Sequence, residues 1–84
     1  MHIIASIYRS ARKQGAYLYV PKDSALEQLP EALRKPLGQL ELAMTLDLHP
    51  GRQLAHANID KVLVALQEQG FYLQLPPADQ ADDL

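Results

Sequence analysis

Gln39-Leu40-Glu41-Leu42-Ala43-Met44-Thr45-Leu46-Asp47-Leu48-His49 carries a large apolar side chain at every even position from Leu40 to Leu48, with polar or small residues between. Successive side chains of a strand point to opposite faces, so this period of two predicts a half-buried β-strand. One covered face and one wet face favour an antiparallel sheet with helices on a single side over a doubly wound parallel sheet.

Working outward toward the amino terminus, Ile3 to Arg9 and Ala16 to Val20 are β-branched and aromatic runs. Ser10-Ala11-Arg12-Lys13-Gln14-Gly15 separates them, which predicts a β-hairpin with a mobile, basic tip. Pro21 ends the second run. Ser24 and Glu27 then have the spacing of a capping box, and Pro30 suits the first position of a helical turn, where its missing N–H costs nothing. Leu26, Leu29, Leu33 and Leu37 recur at three- and four-residue steps before Pro36 and Gly38 close the segment, which reads as a short, broken helix.

On the carboxyl side, Asn58 is placed to cap a second helix, Asp60 suits its positive end, and Ile59, Val62, Leu63 and Leu66 form its apolar stripe up to Gly70. Phe71 to Leu75 reads as a last strand ended by Pro76-Pro77. The expected fold is α+β: a two-layer sandwich in the order β-β-α-β-α-β, a mostly antiparallel sheet of about four strands with the helices on one face. The other face then inherits Ser6, Tyr8, Tyr17, Tyr19, Glu41, Thr45, Asp47, Tyr72 and Gln74. Residues 1–77 are expected to form one domain and 78–84 a disordered acidic tail.

The whole chain has 84 residues, 48% hydrophobic and 21% charged, a composition of ordinary globular proteins that argues against disorder. It has room for one core only. No apolar run approaches the roughly 20 residues of a membrane-spanning helix, and the first residues lack the pattern of a signal peptide, so the cytoplasm is expected. The net charge of −2 conceals a gradient along the chain. Arg9, Arg12, Lys13, Lys22, Arg34 and Lys35 outnumber Asp23, Glu27 and Glu31 up to residue 40, whereas only Arg52 and Lys61 oppose seven acids beyond it. Such charges are mostly solvated surface, yet clustered cations also attract polyanions.

Several strings bear a likeness to a known family. Ile7-Tyr8-Arg9-Ser10 followed by Arg12-Lys13, then Tyr17-Leu18-Tyr19-Val20, Leu29-Pro30-Glu31, and Gly70-Phe71-Tyr72-Leu73-Gln74-Leu75-Pro76-Pro77 resemble the bacterial YcgL family, in that order, from about Ile3 to Pro77. The resemblance implies a small α+β domain of gammaproteobacterial type with no assigned activity or catalytic residues. Members often carry a cysteine near the start of the first strand, which this chain lacks. In some bacteria the family's gene lies beside that for ribonuclease D, which implies a ribonuclease-associated protein partner.

Side-chain chemistry narrows the function further. With no cysteine there is no disulfide, thiolate nucleophile or Cys-based metal site. His2, His49 and His56 have no metal-ligand spacing, the serines lack a nucleophile-elbow context, and Gly15, Gly38, Gly51 and Gly70 form no phosphate loop. Glu41 and Asp47, six apart on a strand, stand about 20 Å from one another, too far to share a substrate bond. The expectation is a non-enzymatic accessory module with no cofactor and no metal, binding another protein in RNA metabolism. The surface assigned to that role comprises Tyr8, Arg9, Ser10, Arg12, Lys13, Tyr17, Tyr19, Tyr72 and Gln74. One alternative is single-stranded RNA stacked on the tyrosines of an open sheet face, with the cations of the hairpin tip on its phosphates. A second is a phosphorylated small molecule held by Arg9, Ser10, Arg12 and Lys13.

Overall fold

In the computed structural model, which describes residues 2–24, 26–54 and 57–75, strand β1 spans Ile3–Ser10 and forms an antiparallel hairpin with β2, Tyr17–Pro21. A 3-10 turn over Leu26–Gln28 leads to helix α1, Glu31–Leu37, then strand β3, Leu40–Leu48, helix α2, Ile59–Glu68, and strand β4, Tyr72–Gln74. All pairings are antiparallel, and the sheet order is β3-β1-β2-β4. The α+β class, the element order and the four-stranded antiparallel sheet are those that the sequence predicts. His56, Pro76, Pro77 and the acidic segment 78–84 lie outside the described residues.

Strand pairing distributes the apolar residues in a way that no single strand reveals. Ile7 is opposite Met44 and the next residue, Tyr8, is opposite Leu42, so Ala43 is an extra residue that bulges out of the β1–β3 ladder. A bulge of one residue reverses which face the following side chains take. Met44, Leu46 and Leu48 therefore share the face of Ala5 and Ile7, whereas Leu40 and Leu42 share the face of Tyr8 and Ser10. The even-numbered stripe is continuous in sequence and divided in space.

Two apolar clusters result, one on each side of the sheet. Ala5, Ile7, Tyr19 and Leu48 pack with Val62, Leu63 and Leu66 of α2, with Tyr17, Leu46, Leu54 and Tyr72 around them. Ala16, Leu18 and Val20 pack with Leu29 and with Leu37 of α1, joined by Tyr8, Leu33, Leu40, Phe71 and Leu73. The leucine-rich cover expected on one face is thus shared out, with α2 over the first cluster and the 3-10 turn and α1 over the second. Leu18, Leu48, Val20 and Val62 are fully buried, each contributing about 1.5–3 kcal/mol of apolar transfer.

Local signals place the helices. Asn58 Oδ1 accepts from the N–H groups of Asp60 and Lys61 at 2.9 and 3.2 Å, the capping that its position predicts. Pro30 takes the capping position itself, one residue before its expected place. The Ser24 N–H closes a turn on the Pro21 carbonyl ahead of the 3-10 segment.

The basic hairpin loop, expected as a mobile tip, is fastened to the end of α1. Ala11 N–H donates to the Gln39 carbonyl, Arg12 N–H to the Leu37 carbonyl, and buried Ser10 Oγ to the same Leu37 carbonyl at 2.5 Å. Ser10 Oγ also accepts from the N–H groups of Arg12 and Lys13 at 3.2 and 2.9 Å. Gly38 makes the junction possible: it sits at φ 70°, and a Cβ there would lie 2.6 Å from Arg12 Cγ. Ser10→Ala would leave these groups without their hydroxyl partner. We expect a loss of about 1–3 kcal/mol, read as a melting temperature about 5–15 °C lower in a thermal unfolding experiment.

Candidate functional site

The residues that the sequence gathers onto one open face do not share one. In the hairpin, Tyr8 is opposite Leu18 and Arg9 opposite Tyr17, so Tyr8 stands on the α1 side and Tyr17 on the α2 side. Tyr19 is 6% exposed beneath α2, and Tyr72 packs against it edge to face, ring centroids 5.8 Å apart at 83°. A tyrosine tolerates such burial when its hydroxyl is satisfied; Tyr19 Oη donates to Oε1 of buried Gln74 at 2.8 Å. The tyrosine stacking platform is therefore corrected to two packed faces. Ser6, also expected on the open face, is buried on the side of Val20.

Polar candidates separate likewise. Arg9 is exposed and donates from Nη2 to Glu41 Oε1 at 2.5 Å across the β1–β3 register, an ion pair that raises the Arg9 pKa above its ordinary value. Ser10 is consumed by the backbone of residues 12, 13 and 37, so its hydroxyl is not available to a phosphate beside Arg9. Arg12 is exposed with its stem over Gly38, and Lys13 is half-buried. Tyr17 lines a groove instead.

That groove, about 340 Å³, runs along the α2 side between β3 and the segment preceding α2. Ile7, Tyr17, Met44, Leu46 and Leu54 supply an apolar lining, and Arg52 stands at its wall with Nε buried and without a hydrogen-bond partner. Sequence reasoning missed it because Met44 and Tyr17 are brought together only by the strand order. The same pairing joins the two chain ends of the sheet: His2 Nε2 lies 2.7 Å from Asp47 Oδ1, and its ring stacks on His49 with centroids 6.1 Å apart. Among the described residues no group of three His, Cys, Asp or Glu converges as metal ligands. No helix among them is long and apolar enough to cross a membrane.

The outer edge of the sheet belongs to β3, nine residues long, with Leu42 54% and Met44 47% exposed. Natural edges are blunted by lysine, proline, brevity, charge or bulges; β3 is long and has no lysine or proline, and its protection is the Ala43 bulge with the acids Glu41 and Asp47. Its acids are drawn back onto β1, Glu41 by Arg9 and Asp47 by His2.

A small antiparallel sheet with one helix per face and a long edge strand defines the α+β class. The YcgL domain model matches residues 5–77, and the chain belongs to that family. It is 48% identical over 79 residues to a YcgL domain-containing protein of Saccharophagus degradans, covering 94% of this chain and 87% of the relative. A YcgL domain-containing protein of Pectobacterium carotovorum is 54% identical over 71 residues, 84% of each chain. Protein YcgL of Salmonella paratyphi A is 52% identical over 71 residues, 84% of this chain and 64% of the relative. These names carry no reaction, ligand or partner.

Burial first, then the neighbouring phenols of Tyr72 and Tyr17, raise the pKa of Tyr19 above the ordinary 10.0. Folding thus favours the neutral phenol: its contribution is complete below pH 10 and is lost as pH rises through the higher folded value. Tyr19→Phe should cost about 1–3 kcal/mol at neutral pH by orphaning Gln74 Oε1. Denaturant titrations from neutral to strongly alkaline pH should show stability falling less steeply above pH 10 in that variant than in the parent chain.

Proposed function

We propose that this protein is a non-catalytic binding module that takes an extended segment of a partner protein as a fifth strand on the outer edge of β3. One observation carries this reading: a nine-residue edge strand, free of lysine and proline, holds Leu42 and Met44 about half exposed on its two faces. An added strand would satisfy N–H and C=O groups of that edge other than the Asp47 carbonyl, which accepts from Arg52 Nη1 at 3.4 Å, and this supplies affinity, while alternate side chains find pockets, which supplies choice. The groove beside Met44 and Leu46 offers such a pocket, and the unpartnered Nε of Arg52 offers a donor to an acceptor entering it.

The bulge favours a foreign segment over a second copy. A two-fold axis at Met44 would bring the Ala43 bulges of both chains into the shared ladder and interrupt its pairing twice, whereas a foreign strand meets only one. The segment that fits has an apolar centre and neutral or basic flanks. Such a role needs no converging catalytic groups, in keeping with the separation of Arg9, Ser10 and the tyrosines.

A photo-crosslinking amino acid at position 44, with the same group at exposed Val64 on the outer side of α2 as control, tests the reading in a lysate of a bacterium that carries a relative. The expected result is a discrete crosslinked protein, mapped to an extended peptide, from position 44 only, and lost with Leu42→Lys. Equal products from both positions, or none from position 44, would overturn it.

A further inference from the structure

On its α2 side the sheet is sealed over Ala5 and Leu48, yet beside β3 the same face stays open as the groove of about 340 Å³. Ile7, Met44, Leu46 and Leu54 give it an aliphatic lining, with the ring of Tyr17 beside them. Ile7 is buried and Met44 is 47% exposed, so the lining runs from the core to the surface. Small-molecule sites have this make-up, an apolar hollow with a few fixed polar groups, and the volume falls at the lower end of their range.

Two polar groups of the lining have hydrogen-bonding capacity unspent. Arg52 is half-buried, and among the described residues no carboxylate pairs with it. Its Nη1 donates to the backbone carbonyl of Asp47 at a long 3.4 Å, and no partner among the described residues engages its Nη2. Gln74 is 9% exposed; its Oε1 accepts from Tyr19 Oη, and no hydrogen bond among the described residues engages its Nε2. Both unspent groups are donors, and one is a permanent cation. Donors partly withdrawn from water favour an acceptor that carries negative charge.

The neighbouring acids do not supply it. Asp47 gives its carboxylate to His2, and Glu41 gives its own to Arg9. Asp60 lines the adjoining hollow with Arg52, but no ion pair joins the two, and its place in the first turn of α2 sets it at the positive end of that helix.

We infer that the groove binds a small amphiphilic carboxylate, an aliphatic chain lying on Ile7, Met44, Leu46 and Leu54 with its head group on the Arg52 guanidinium. Gln74 Nε2 offers a further donor in the same groove. Chain burial supplies affinity, and the charge-assisted hydrogen bond selects the carboxylate over a neutral head group. The inference does not rest on strand addition, which uses backbone groups of the β3 edge; a side chain of a docked strand would compete for this lining, so the test uses the chain alone.

Methyl and amide nuclear magnetic resonance spectra of the labelled chain, titrated with octanoate below its micelle-forming concentration, test it. The expected result is a saturable shift of the Met44, Leu46 and Leu54 methyl signals. Octan-1-ol, with the same chain and no charge, should bind at least about tenfold more weakly, a comparison that needs no variant. Met44→Glu, which sets a negative charge at the groove, should weaken octanoate by about tenfold. Val64→Glu, on the exposed outer side of α2, makes the same change in net charge and should leave affinity within about twofold. Melting curves confirm that both variants are folded. No saturable shift, equal affinity for octanol and octanoate, shifts centred on exposed Ile4 and Leu42, or equal losses in the two variants would each overturn the inference. A crosslinked partner from position 44 without octanoate binding would leave strand addition standing and remove the carboxylate site.

Discussion

The one-residue bulge at Ala43 is the constraint on which the rest of this molecule depends. Without it, the five apolar side chains from Leu40 to Leu48 would stand on a single face and require a single cover. With it, Leu46 and Leu48 join Ala5, Ile7 and α2, while Leu40 joins Leu18, Leu37 and α1. A sheet of four strands is thereby packed on both sides by two short helices. The same bend leaves Leu42 and Met44, which flank the extra residue, partly in solvent on opposite faces of an edge strand.

The tyrosines follow from this division. A phenol ring is large enough to fill core space and polar at one end, so its burial depends on a partner for the hydroxyl. Gln74 supplies that partner to Tyr19, and Tyr72 completes the packing. A ring committed in this way is not free to stack on a base. The side chains that packing does not use stand in solvent, among them Leu42 and Met44 of β3, Arg12 of the loop and Lys35 of α1.

Much of this was legible in the sequence, and what was not has a common cause. Asn58, the stripe from Ile59 to Leu66 and Gly70 describe α2 locally, because capping and periodicity act within a few residues. The element order, the α+β class and the YcgL resemblance came from the same local strings. Register did not. Whether Tyr8 lies opposite Leu18 or opposite Tyr17 decides which face each ring takes, and a slip of one residue moves every ring to the other side. Arg34 and Lys35 read as solvated helix charges until the backbone bonds of Ala11 and Arg12 bring the hairpin loop to them. Ser10, which reads as a hydroxyl for a ligand, is spent on the loop itself.

Both faces of the sheet are filled, each by its own helix, and the exposed surface is what this division leaves over. Methyl-to-ring nuclear Overhauser spectra of the labelled chain test that division most directly. The account predicts contacts from the Tyr19 ring to methyl groups of Val62, Leu63 or Leu66, and separate contacts between Leu18 and Leu37. A Tyr19 ring in contact with Leu29 or Leu37, or with neither helix, would contradict it.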